Sequence, residues 1–103
     1  SAIYAAGLTM HTQFISPLLR FLPNKIYRES VKGALLNYGE QLLPILSSSI
    51  KDRSEPLAIC RCIPMVFEVF NSQESIKYLI PLLGDRDLTI RLELKTEITA
   101  FNN

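Results

Sequence analysis

Residues able to do chemistry are few in this chain, and they stand apart. His11 is its one histidine. A single imidazole with no cysteine or second histidine at ligand spacing does not define a zinc site, and His11 reads as a solvent-facing turn residue. Cys60 and Cys62 are the only cysteines. Two positions apart on a helix they diverge by roughly 200°, too far to share a metal or to bridge to each other. They read as reduced thiols, which favours a reducing compartment. Ser47-Ser48-Ser49 lacks a histidine within reach to activate a hydroxyl and reads as the polar end of a helix. Asp85 and Asp87 alternate at a helix entrance, where carboxylates normally act as caps. Acid–base work would also need a cleft that shifts their pKa values. No reaction is legible here: the expectation is a non-enzyme without cofactor or metal.

A second constellation is cationic. Lys25, Arg28 and Lys32 fall at i, i+3, i+7 and make one basic stripe on a helix, which Arg61 and then Arg91 and Lys95 extend if the following helices align. Six such charges in a groove would engage phosphates or an acidic peptide at long range. Glu29, Glu68, Glu93 and Glu97 lie among them and dilute the stripe. Over the whole chain 11 Lys+Arg oppose 10 Asp+Glu for a net charge of +1, and there is no tryptophan. Nucleic acid is therefore not the expected partner.

Helices must position these groups. The chain is 48% apolar and 20% charged over 103 residues, which fits one packed domain rather than disorder. Ile15, Leu18, Leu19 and Leu22 make the stripe of a helix over 12–22, in which Pro17 either tilts the helix slightly or sits where its missing N–H costs little. Asn24 is placed to cap a second helix over 25–38, which buries Tyr27, Val31, Ala34, Leu35 and Tyr38 and ends at Gly39. Leu42, Leu43, Leu46 and Ile50 mark a helix over 41–50. The segment 54–70 is apolar on two faces, with Leu57, Cys60, Ile63, Pro64, Phe67 and Phe70 on one and Ile59, Cys62, Val66 and Val69 on the next. It predicts the central inner helix, kinked where Pro64 removes the N–H that would reach the Cys60 carbonyl. Asn71-Ser72-Gln73-Glu74 has capping-box spacing for a helix over 74–83 with Ile76, Leu79, Ile80 and Leu83 inside. Asp87 caps a last helix over 86–101 that turns Ile90, Leu94, Ile98 and Phe101 inward.

These helices repeat. Phe14 to Asn24, Gln41 to Asp52 and Ser75 to Asp85 superpose on Leu22, Ile50 and Leu83, which stand 28 and 33 residues apart. A period in that range signals units that cannot bury their apolar faces alone. Leu82-Leu83-Gly84-Asp85-Arg86-Asp87-Leu88-Thr89-Ile90-Arg91 resembles the turn of a HEAT repeat, where an apolar first helix ends at Gly-Asp and an Ile-Arg pair enters the second. Ile50-Lys51-Asp52 and Cys60-Arg61 keep that outline with three extra residues between acid and base, and Asn24 with Arg28 keeps it least. The segments from Ala34 to Pro44 and from Arg61 to Phe67 are similar to bacterial HEAT units that accompany membrane transporters.

The resemblance implies an all-α, right-handed superhelix of about three helix pairs, a HEAT-like or armadillo-like solenoid. Its repeats would lie at 12–38, 41–70 and 74–101 behind a partial helix at 1–7, in one domain cut from a longer protein. It also implies a structural ladder, in which Asp52 and Asp85 accept bonds from backbone amides at helix starts and from Arg91 or Arg61. Function would be that of a protein-binding or regulatory scaffold. The alternative is a polyanion binder using Lys25, Arg28, Lys32, Arg61 and Lys95 on the inner helices. The partner would be a protein or another domain of the same polypeptide, in the cytoplasm. No apolar run approaches the ~20 residues that span a bilayer. Apolar terminal helices, with Leu92 and Leu94 on the last, predict weak self-association.

Overall fold

In the computed structural model, which describes residues Thr12–Asn102, the apolar stripes become helices that are shorter than their pattern. His11 and the segment 1–7 lie outside the described residues. A 3-10 turn at Thr12–Phe14 leads into α1 (Ile15–Leu19), and the chain beyond it stays in turns through Pro23. Leu22 is fully buried even so, beside Ile15 and Leu19. Pro17 is the third residue of α1, among the first four whose N–H has no partner inside a helix, and it does no harm there. Asn24 accepts the Ile26 N–H on Oδ1 at 2.9 Å, and α2 (Arg28–Leu36) follows. Val31 and Leu35 are its buried residues. Tyr27, expected inside, is half exposed and meets the Phe21 ring edge-on at 5.6 Å.

Gly39 turns the chain with a φ of 77°, a left-handed conformation in which glycine meets no Cβ penalty. In α3 (Leu42–Lys51), Leu42, Leu43, Leu46 and Ile50 are all buried, and Pro44 again takes the third position. The segment expected as one kinked helix is instead two pieces. They are α4 (Leu57–Cys60) and a 3-10 stretch at Ile63–Val69, parted by a turn at Arg61 and Cys62. Pro64 cannot bond back to Cys60, and the chain answers by tightening its winding rather than bending it. Its central position is as expected. Ile63, Pro64, Val66 and Phe67 are buried, and the stretch packs against α2, α3, α4 and the two helices that follow.

Those two helices are α5 (Gln73–Leu79), which tightens into a 3-10 turn at Ile80–Leu82, and α6 (Leu88–Asn102). The capping box does not form. Ser72 stands extended at the N-cap with no side-chain cap bond, and Glu74 pairs with Lys77 at 2.7 Å. Because three residues complete a 3-10 turn, Leu82 follows Leu79 into the core and Ile80 turns out. At α6, Asp87 caps as expected, its Oδ2 accepting the Ile90 N–H at 3.0 Å.

The described residues are all helical, with no strand, around a single hydrophobic cluster. Helix α1 packs on α2, and α3 on α5. Helix α2 touches Ile63–Val69, which in turn touches α6. Helix α2, the stretch Ile63–Val69 and α6 are thus in contact one after another, and the described residues extend 43 × 27 × 26 Å. No helix among the described residues is long and apolar enough to cross a membrane.

Candidate functional site

Two surfaces gather the polar residues singled out by the sequence. The first is the seam of loops that joins the second and third pairs. Asp85 accepts the Asp87 N–H on Oδ1 at 2.8 Å and takes the Arg53 guanidinium in a two-pronged pair at 2.6 and 2.9 Å. Arg53 also donates to the Ile50 carbonyl at 2.7 Å, closing the end of α3. Arg53 takes a φ of 53° just past the end of α3, where its N–H reaches the Ile50 carbonyl at 3.3 Å and the Ser54 N–H reaches that of Ser49 at 3.1 Å, the left-handed turn that closes a helix. Asp87 receives Arg61 in a second two-pronged pair at 2.8 and 3.1 Å. The Arg61 hydrogen bonds hold the Asp87 carboxyl down at about 2, and those of Arg53 lower Asp85 below the usual carboxylate range. Arg91 reaches the Asp85 backbone carbonyl at 2.7 Å.

The residues expected in a ladder make other contacts. Asp85 takes Arg53 on its carboxylate and Arg91 on its backbone oxygen, and Arg61 serves Asp87. Asp52 is exposed, with no side-chain hydrogen bond or ion pair among the described residues. Its neighbour Arg53 supplies the second pair's contact instead, with the charge reversed. Arg53 and Asp87 were not assigned to the ladder from the sequence. A basic residue just past a helix end was the available signal for Arg53.

The second surface is the row of second helices. Lys32 on α2 donates to Glu68 of the middle stretch at 2.9 Å and lies 3.5 Å from Glu29. Burial pulls the Lys32 ammonium down, yet Glu68 and Glu29 together raise it above its ordinary value. Glu97 of α6 faces the same place and is only 5% exposed. One of its oxygens, Oε2, is buried with no hydrogen-bond partner. Burial pushes its carboxyl up to about 7, and the charges of Glu68 and Glu93 push the same way against Lys32. Glu97 is thus about half protonated at neutrality and in that form able to donate to Glu68.

No free basic stripe runs along this row. Lys25 and Lys95 are exposed. Arg28, however, donates to the Leu22 carbonyl at 2.8 Å and to that of Pro23 at 3.4 Å. Lys32, Arg61 and Arg91 are engaged as described, so four of the six cations are held within the fold. Among the remaining candidates, Cys60 is buried and donates its thiol to the Glu55 carbonyl at 3.3 Å. Burial raises both thiols, Cys60 and Cys62, above their ordinary value, the opposite of what a reactive thiolate needs. Ser47 and Ser49 donate to the carbonyls of Tyr78 and Ile45 at 3.3 and 3.0 Å. Among the described residues no group of three or more His, Cys, Asp or Glu is arranged to hold a metal ion.

Comparison with protein-family models, with characterised proteins and with solved structures finds no match to this chain.

Proposed function

We propose that this chain is a non-catalytic scaffold, a HEAT-like solenoid of three helix pairs that presents its row of second helices to a protein partner. The observation that carries the reading is the row itself: α2, Ile63–Val69 and α6 pack side by side while the first helices α3 and α5 pack in turn. An array of that kind builds a continuous surface from repeated units and needs no cleft. A length of 43 Å against 26 to 27 Å across supports it. The polar groups support it as well, since Asp85 and Asp87 of the loop seam are taken by Arg53 and Arg61 and tie neighbouring loops together. Both free thiols favour a reducing location such as the cytoplasm. Photo-crosslinking residues placed at the exposed positions Lys25, Glu29 and Lys95 test the proposal. They should recover one discrete protein, which then binds the purified chain saturably and loses affinity when Glu29 and Glu93 are reversed in charge. If no saturable partner emerges, or crosslinks come equally from every exposed position, the scaffold reading fails.

A further inference from the structure

The side of the first helices also carries uncommitted positive charge. Between α3 and α5 lies a groove of about 540 Å³, lined by Pro44, Ser47, Ser48, Tyr78, Pro81 and Leu82, with Lys51, Arg53, Gly84, Asp85 and Arg86 at one end. Its size falls within the range of ligand sites, about 300 to 1,000 Å³. Lys51 is the last residue of α3 and Arg86 stands in the turn before α6. Both are exposed, and neither makes an ion pair or side-chain hydrogen bond among the described residues. Of the carboxylates nearby, Asp85 and Asp87 are held by Arg53 and Arg61, and Asp52, exposed next to Lys51 in the chain, does not line the groove. Ser48 adds an exposed residue with a hydroxyl beside the two cations. In a chain of net charge +1, two unpaired cations at the end of an apolar-floored groove are a concentration of charge that the fold itself leaves unanswered.

We infer that this groove binds a phosphorylated side chain of a peptide partner, with Lys51 and Arg86 on the phosphate and the floor of Pro44, Tyr78 and Pro81 beneath the neighbouring peptide residues. The inference rests on the scaffold reading and gives its partner a chemistry. A phosphomonoester carries about −1.5 to −2 at neutral pH and answers two cations where a carboxylate answers one. Free phosphate would leave most of the groove empty. A nucleic-acid strand needs cations tracking its backbone, whereas these are confined to one end, and the opposite face carries Glu29, Glu68, Glu93 and Glu97.

Isotope-labelled protein is titrated with a randomised pool of phosphoserine peptides, with the same pool unphosphorylated, with phosphoserine amide and with a single-stranded oligonucleotide. Phosphorylated peptides should shift the amides of Ser48, Lys51, Gly84 and Arg86 and bind at least ~10-fold more tightly than their unphosphorylated twins. Phosphoserine amide should shift the same amides weakly. The double variant Lys51→Glu with Arg86→Glu should melt as the parent does and lose that preference. Equal binding of the two pools, shifts centred elsewhere, or an oligonucleotide that displaces the peptides from these residues would overturn the proposal. A partner still captured through the second-helix row in that event would sink the groove and leave the scaffold standing.

Discussion

Glu97 shows how a single residue turns burial into a dependence on pH. Its carboxyl is raised from 4.5 to about 7 in the folded chain, so the folded state holds a proton that the unfolded state has already lost between those values. Its contribution to stability is therefore complete below the unfolded value and lost as pH rises through about 7. Asp85 and Asp87 act in the other direction. Their lowered carboxyls favour the folded state above the ordinary value of 3.8, and that benefit disappears as the pH falls, for Asp87 toward about 2. The melting temperature should accordingly peak at about pH 4 and decline toward pH 8. Glu97→Gln keeps the shape, can still donate to Glu68 and carries no charge. It should flatten the alkaline decline and be the more stable protein at pH 8, by about 2 kcal/mol. A variant whose melting temperature falls as steeply as the parent's would show that another group titrates.

At the scale of elements, the 3-10 stretch Ile63–Val69 is the piece that every later helix leans on. Phe67→Ala there should cost about 3 to 5 kcal/mol, measured by denaturant unfolding, because the ring is fully buried. A loss below about 1 kcal/mol would place the core elsewhere. Asp85→Ala should cost about 2 kcal/mol by removing the Arg53 pair and the turn before α6 together, with chain geometry elsewhere intact by amide chemical shifts. These two sites also mark what a sequence discloses. The stripe containing Phe67 was legible at Cys60, Ile63, Pro64 and Phe67, because positions three or four apart stay on one side in either winding, although Leu57 at its start is exposed. Pro64 announced a disturbance but not its form, since loss of one N–H is met by a bend or by tighter turns, and neighbours decide between them. The pairing of Arg53 was not legible: its partner lies 32 residues away. Glu68 and Lys32, 36 residues apart, are hidden for the same reason. Glu74 fits a capping box by spacing, yet it has Lys77 within reach on the same helix and takes it.

For the whole molecule, the last helix leaves apolar surface uncovered. The sequence pointed to Leu92 and Leu94, but Leu94 is fully buried, and the exposed pair is Leu88 and Leu92, at 59% and 53%. They stand one turn apart on α6, so a second copy could cover both. Sedimentation of the chain at rising concentration should reveal weak dimers, and Leu92→Glu should abolish them without loss of stability. A parent that stays monomeric, or a variant that dimerises equally, rules this face out.

The side-by-side order of the pairs also governs how the structure comes apart. Helices α1 and α2 are anchored on one side of the middle stretch and α6 on the other, so either end can open while the centre stays folded. Hydrogen exchange should then be graded along the chain rather than uniform. The slowest amides would lie in α3 and between Ile63 and Val69, faster ones in α2 and α6, and the fastest in α1. The segment with the poorest helical hydrogen bonds would be the last to let deuterium in, protected by what surrounds it rather than by its own winding.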